Sequence, residues 1–210
     1  MRNYGKILDT ALHIKEKYND GWELSKGVYL KGYKIMPMNI YDEKRHCSLM
    51  SIAKIFQYFR DSGFNKIKYD DEKIFYTTLK IAKRRLFYTS LIGTQPFFID
   101  NITNLLWKYF GYEAMAKNII FFNGKKSFAD YIIERLDCGC PLILSMFFGT
   151  YSRHTINIIG YKLYNRGEES KLYLNVDDNW SYREKYIDTS NFFTIKSPIF
   201  EICDPLYRIR

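Results

Sequence analysis

Residues 154–180, HTINIIGYKLYNRGEESKLYLNVDDNW, decide the fold class. β-branched, Leu and Tyr residues dominate both ends of this stretch, and Asn165-Arg166-Gly167 interrupts them with residues that suit a tight turn. Thr155–Tyr164 and Leu172–Val176 are therefore expected to pair as an antiparallel hairpin. Such pairing returns Asp177 and Asp178, at the end of the second strand, to within a few residues of His154 at the start of the first. Which aspartate faces the histidine stays open, because a one-residue slip or a bulge turns every side chain to the other face.

Working outward, Leu142–Met146 and Arg183–Ile187 read as two more strands flanking that hairpin. The chain before them is mostly helical in pattern. Tyr4, Ile7, Leu8, Ala11, Ile14 and Tyr18 recur at helical spacing over residues 4–18. Val28–Met36 reads as a strand stopped by Pro37, followed by a polar loop from Asn39 to His46. From Cys47 to Arg60, Leu49, Ile52, Ala53, Phe56 and Phe59 mark a core helix with Cys47 in its first turn. A second helix is expected over Asp70–Tyr88, opened by two acidic residues, and a third from Ile99 to Tyr109 after the Gly93-Thr94-Gln95-Pro96 turn. Ala114–Phe122 reads as extended, and Ser127 as the cap of a helix ending before Gly139. The fold class is α+β, a single domain over residues 1–210 with a helical lobe to about residue 138 packed on an antiparallel β lobe.

The chain has 210 residues, of which 47% are hydrophobic and 18% aromatic, with 19 Tyr and 16 Phe, enough apolar surface to offset the entropy of ordering and so to exclude disorder. Its longest apolar run, Cys140–Phe148, is interrupted by Pro141 and Ser145 and falls short of the roughly 18 residues of a membrane span. The N-terminus lacks the sectors of a secretory signal, which predicts a cytoplasmic protein. Net charge is +9, but the basic residues are scattered, and the densest group, Lys80, Lys83, Arg84 and Arg85, falls on a helix; nucleic acid is not the expected partner. No Gly-rich phosphate loop and no set of ligands at metal-binding spacing is present, so no cofactor or metal is expected.

A nucleophilic cysteine must be a thiolate, and a helix N-terminus and a neighbouring imidazolium both stabilise one. Cys47 has the first by position. Cys138, Cys140 and Cys203 read as buried or half-buried free thiols. Of the three histidines, His13 sits inside the first helix and His46, adjoining Cys47, points away from it as a secondary candidate. His154, at a strand start, can be aimed at a helix packed on the sheet, with Asp177 or Asp178 as the acceptor that orients it.

The order Cys47 opening a helix, Gly139-Cys140-Pro141 before a strand, His154 opening a strand with Gly160-Tyr161, then Asp178-Asn179-Trp180, resembles the papain-like cysteine peptidase superfamily. Gly93-Thr94-Gln95-Pro96 between Cys and His narrows the resemblance to the double-glycine (bacteriocin leader) peptidase-like branch. The resemblance spans about residues 35 to 190. It implies a Cys47-His154-Asp178 triad, favours Asp178 over Asp177, and makes Trp180 the cover of the His-acid hydrogen bond. It also implies an oxyanion-binding Gln six residues before the nucleophile; Tyr41 stands there, so Tyr41 or Asn39 is expected to supply that donor. Ser48 replaces the Gly that commonly follows the cysteine. The function expected is a cysteine peptidase or amide hydrolase acting on a peptide or protein substrate through an acyl-enzyme. A cysteine acyltransferase on the same fold and a catalytically degenerate papain-like binding module are the alternatives.

Overall fold

The computed structural model describes residues 5–113, 116–119, 125–146, 149–190 and 199–201. In order, α1 (Thr10–Tyr18), β1 (Glu23–Tyr29), α2 (Cys47–Asp61), α3 (Asp71–Arg84), β2 (Tyr88–Thr89), β3 (Gly93–Thr94) and α4 (Ile99–Tyr109) precede β4 (Lys117–Ile119) and α5 (Lys125–Asp137). Then come β5 (Leu142–Met146), β6 (His154–Arg166), β7 (Glu169–Asp177), β8 (Lys185–Asp188) and β9 (Ile199–Glu201). Helices and an antiparallel sheet make one mixed architecture, and among the described residues no helix is long and apolar enough to cross a membrane.

The sheet runs β4-β9-β5-β6-β7-β8, with β1 joining the far half of β6. β6 and β7 form the expected hairpin, but with a register shift between Ile158 and Gly160. β5 covers His154–Ile158 of one β6 edge and β1 covers Gly160–Asn165. Gly160 is required where they meet, since a Cβ there would lie 2.3 Å from the Val28 carbonyl oxygen. β1 and β4 both come before residue 138, so the sheet is not confined to the C-terminal lobe.

Several boundaries depart from expectation. The first strand ends at Tyr29, not Met36, because β6 offers no further edge beyond Gly160. α1 starts at Thr10, where the Asp9 carboxylate accepts from the N–H groups of Ala11 and Leu12; Ile7 instead bridges to Tyr186. α3 stops at Arg84, and Tyr88–Thr89 turns back to pair with Gly93–Thr94. Ser127 lies inside α5 rather than at its cap. Cys140 is disulfide-bonded, a pairing that spacing along the chain could not reveal, whereas Cys138 is not in a disulfide. Tyr4, Cys203 and most of the expected extended stretch 114–122 lie outside the described residues.

α2 is the axis of the core. Ser48 through Phe59 are all buried, the polar stripe Ser48, Ser51, Lys54 and Gln57 included. Phe56 and Phe59 meet Trp107 of α4 at ring-centroid distances of 4.4 and 5.2 Å. Away from this core, α1 closes a small separate cluster of Ile7, Ile14, Tyr164, Tyr173 and Tyr186. The N-terminus of α2 is held against the start of β6, so the two positions that the sequence marks for chemistry come together.

Candidate active site

Cys47 is the first residue of α2, and the buried His46 before it forms the helix N-cap without a side-chain cap bond. The four leading N–H groups of a helix have no intrahelical partner, so the positive end of α2 is presented at the thiol. His46 turns away: its Nε2 hydrogen-bonds the Met38 carbonyl at 2.8 Å and its ring packs edge-on against Phe75. It anchors the loop that delivers Cys47 and does not reach the thiol. His13 is also remote, on α1, bonded through Nδ1 to the Tyr173 hydroxyl at 2.9 Å.

His154 opens β6 opposite Met146 of β5. Its Nε2 donates to the backbone carbonyl of Asp178 at 2.6 Å, which places a proton on Nε2 and leaves Nδ1 as the nitrogen open to another partner. Trp180 stacks on the imidazole at 4.1 Å with planes 21° apart, and Tyr151 backs Trp180 at 5.4 Å. Trp180 is 40% exposed, so it is a lid over the histidine and not a core residue. Burial pushes the Cys47 thiol up, but the hydrogen bond and charge of His154, with further hydrogen bonds from the Thr155 backbone and hydroxyl, outweigh it and hold the thiol below its ordinary value. Nothing in the chain order singles out Thr155, whose hydroxyl also bonds Ser48 (2.8 Å) and Ser145 (3.1 Å).

The adjacent aspartates take separate routes, and neither carboxylate meets the imidazole. Asp178 lends His154 its carbonyl; its carboxylate, wholly buried, pairs with Lys185 and accepts from the Trp180 N–H at 3.1 Å. Asp177 turns under α2, where its carboxylate pairs with the buried Lys54 at 2.6 Å. Lys54 also donates to the Asn179 side-chain carbonyl at 2.8 Å, and the Asn179 amide bonds Ser51 (2.8 Å) and the Thr155 carbonyl (2.9 Å). Burial raises the Asp177 carboxyl and lowers the Lys54 ammonium, each partly opposed by the attraction of the other. Sequence reasoning missed Lys54 and Asn179. The available signal was Lys54, the one basic residue in the run Leu49–Phe59, which is mostly apolar and holds only Ser51 and Gln57 as further polar side chains besides the Tyr58 hydroxyl.

A cavity of about 680 Å³ opens over Cys47 and His154, walled on one side by Gly93-Thr94-Gln95-Pro96 and on the other by Ser145, Met146 and Arg153. Neither Tyr41 nor Asn39 is among its described lining residues. Tyr41 is instead stacked on Phe75 at 4.1 Å, where burial and the charges of Asp71 and Glu72 push its phenol up to about 12. Asn39 is exposed to solvent. Gln95 is the one side-chain amide among the described lining residues. A second groove, of about 620 Å³ between α3 and α4, carries Arg84, Arg85 and Lys108 but no nucleophile. Among the described residues, no group of three or more His, Cys, Asp or Glu is set to hold a metal ion.

No protein-family model matches the sequence, and no curated protein matches it. A solved structure described as a "putative C39-like peptidase from Bacillus anthracis" is similar over 86% of this chain and 99% of its own, at 14% identity and a TM-score of 0.49. A likeness of that size carries no argument about the reaction. What the site can do chemically follows from its own groups: a thiol with a lowered pKa, an imidazole held through Nε2, and an open cavity beside them.

Proposed function

We propose that this chain is a papain-like cysteine peptidase or related amide hydrolase acting on a peptide or protein substrate. The observation that carries the reading is the pairing of Cys47 with His154 in one cavity, with the thiol held low by the imidazole and the imidazole held by the Asp178 carbonyl. In this reading the Cys47 thiolate attacks the carbonyl carbon, and the oxyanion is met by the N–H groups at the head of α2. The His154 imidazolium protonates the departing amine and a thioester forms. His154 then takes a proton from water, the hydroxide adds to the thioester, and the acid leaves as the thiolate returns. Asp178 serves as a positioning residue through its backbone, and Gln95 is the candidate side-chain donor in place of Tyr41 and Asn39.

One observation favours a second reading. With Tyr41 and Asn39 away from the cavity, the expected second oxyanion donor is missing from its place, and a binding module that has lost catalysis would look the same there. The two readings separate on thiol chemistry. The rate of Cys47 alkylation by iodoacetamide against pH is expected to plateau below about pH 7 and to lose that plateau in His154→Ala. Titration near the free-thiol value of about 8.5 would leave only the binding module. Adding a competing amine to a cleaved peptide then distinguishes hydrolysis from acyl transfer by its product.

A further inference from the structure

Arg45 stands two residues before Cys47 and Arg153 one residue before His154, and both line the cavity above the pair. No carboxylate is among the described lining residues. Three other arginines are matched: Arg60 holds Asp71, Arg135 holds Glu134 and Arg166 holds Glu169, each at 2.8 or 2.9 Å. Among the described residues Arg45 and Arg153 have no such partner. Glu43 is engaged by Lys83 and Tyr88 and Asp178 by Lys185; the exposed Asp42 makes no ion pair with Arg45.

Both arginines also sit in left-handed backbone, at φ 52° and 55°, which a residue with a Cβ adopts at a cost. The surroundings enforce it. Tyr88 donates to the Lys44 carbonyl and to Glu43, and Gly93 packs so tightly on Arg45 that a Cβ at Gly93 would lie 2.9 Å from the Arg45 carbonyl oxygen. Arg153 is fixed between the buried Tyr151 and the first rung of β6. Each backbone is held while its guanidinium is exposed and without a carboxylate partner, and that group presents a planar fork of donors that matches a carboxylate.

We infer that the cavity selects an acidic peptide, one carrying a carboxylate beside the scissile amide, and that Arg45 and Arg153 are its specificity-determining residues. This rests on the reading of Cys47 and His154 as a reactive pair. Its test uses two alkylating probes of similar size, anionic iodoacetate and neutral iodoacetamide, on the full chain. The ratio of their rates at Cys47 is divided by the same ratio for N-acetylcysteine. Because an imidazolium at His154 attracts anions by itself, the deciding quantity is how this ratio changes in Arg45→Gln and Arg153→Gln. Charge focusing in a cleft alters encounter by about tenfold or more, so each variant is expected to lower the ratio several-fold and the pair about tenfold. The wild-type chain supplies a test that needs no variant to fold: raising ionic strength from about 0.01 to 1 M shortens screening from about 30 to 3 Å and should lower its ratio likewise. A ratio insensitive to both arginines or to salt overturns the acidic-substrate inference while the iodoacetamide plateau still stands. Loss of the plateau itself takes down the reactive pair, and this inference with it.

Discussion

The two ends of one stretch of α2 make opposite uses of polar groups. At its head, Cys47 meets His154 beside a cavity with two unmatched guanidinium groups. Two turns further in, Lys54 meets Asp177 and Asn179 with every one of these three side chains fully or almost fully buried. The inner network is closed, each charge answered by a partner across the helix–sheet interface. The outer one is open, with the Cys47–His154 pair facing space that a substrate can fill. The contrast teaches that burying charge fastens α2 to β7, while leaving valence unspent at the same interface makes it reactive.

The largest effect is expected from the closed end. Lys54→Met leaves the Asp177 carboxylate buried without its cation and should cost about 3–5 kcal/mol in denaturant unfolding. Adding Asp177→Asn removes the stranded charge and should recover most of that loss; no recovery would mean the network is not a charge pair at heart. Next comes the open end. His154→Ala removes the group that lowers Cys47, so alkylation by iodoacetamide below the ordinary thiol range should fall several-fold or more, while loss of its hydrogen bond to Asp178 and its stack with Trp180 costs about 1–2 kcal/mol of stability. The sign follows from the depressed thiol: the anion persists as pH drops below the ordinary value in the wild type and vanishes there in the variant.

Smaller effects sharpen the boundary between the two networks. Asp178→Asn keeps the carbonyl that bonds His154 and removes the charge held by Lys185, so stability should fall by about 1–3 kcal/mol while the low-pH plateau of the alkylation profile persists. A collapse of that plateau in the variant would show the carboxylate acting on the imidazole after all. Trp180→Ala uncovers the ring of His154 and forfeits a stacking contact of about 0.5–1.5 kcal/mol, read as a small drop in Tm.

Much of the site is legible in the chain order. The three- and four-residue apolar steps after Cys47 place the thiol at a helix start, and the hairpin turn at Asn165–Gly167 brings the 177–180 stretch back to His154. Resemblance puts Trp180 over His154, although what it covers is a carbonyl bond and not a carboxylate bond. The roles of the aspartates are not legible, because the register shift between Ile158 and Gly160 lies in the pairing and leaves no trace in composition. Tyr41 is misplaced by sequence for a related reason. Distance along the loop before Cys47 says nothing of Phe75, which comes from α3 and stacks on it.

Local pattern by itself determined the elements: period sets a helix, alternation and turn residues set a hairpin, and both act over a few residues of one chain. Those rules sufficed to put Cys47 at a positive helix end and His154 at a strand start. Only the tertiary structure decided which acceptor held the imidazole, which carboxylate was consumed by Lys54 and which by Lys185, and which arginines were left over the cavity. These outcomes turn on contacts such as Lys54 with Asp177, more than a hundred residues apart, or on one bulge, and hydrogen bonds fall off within an ångström or two, so no reading of neighbours along the chain could assign them.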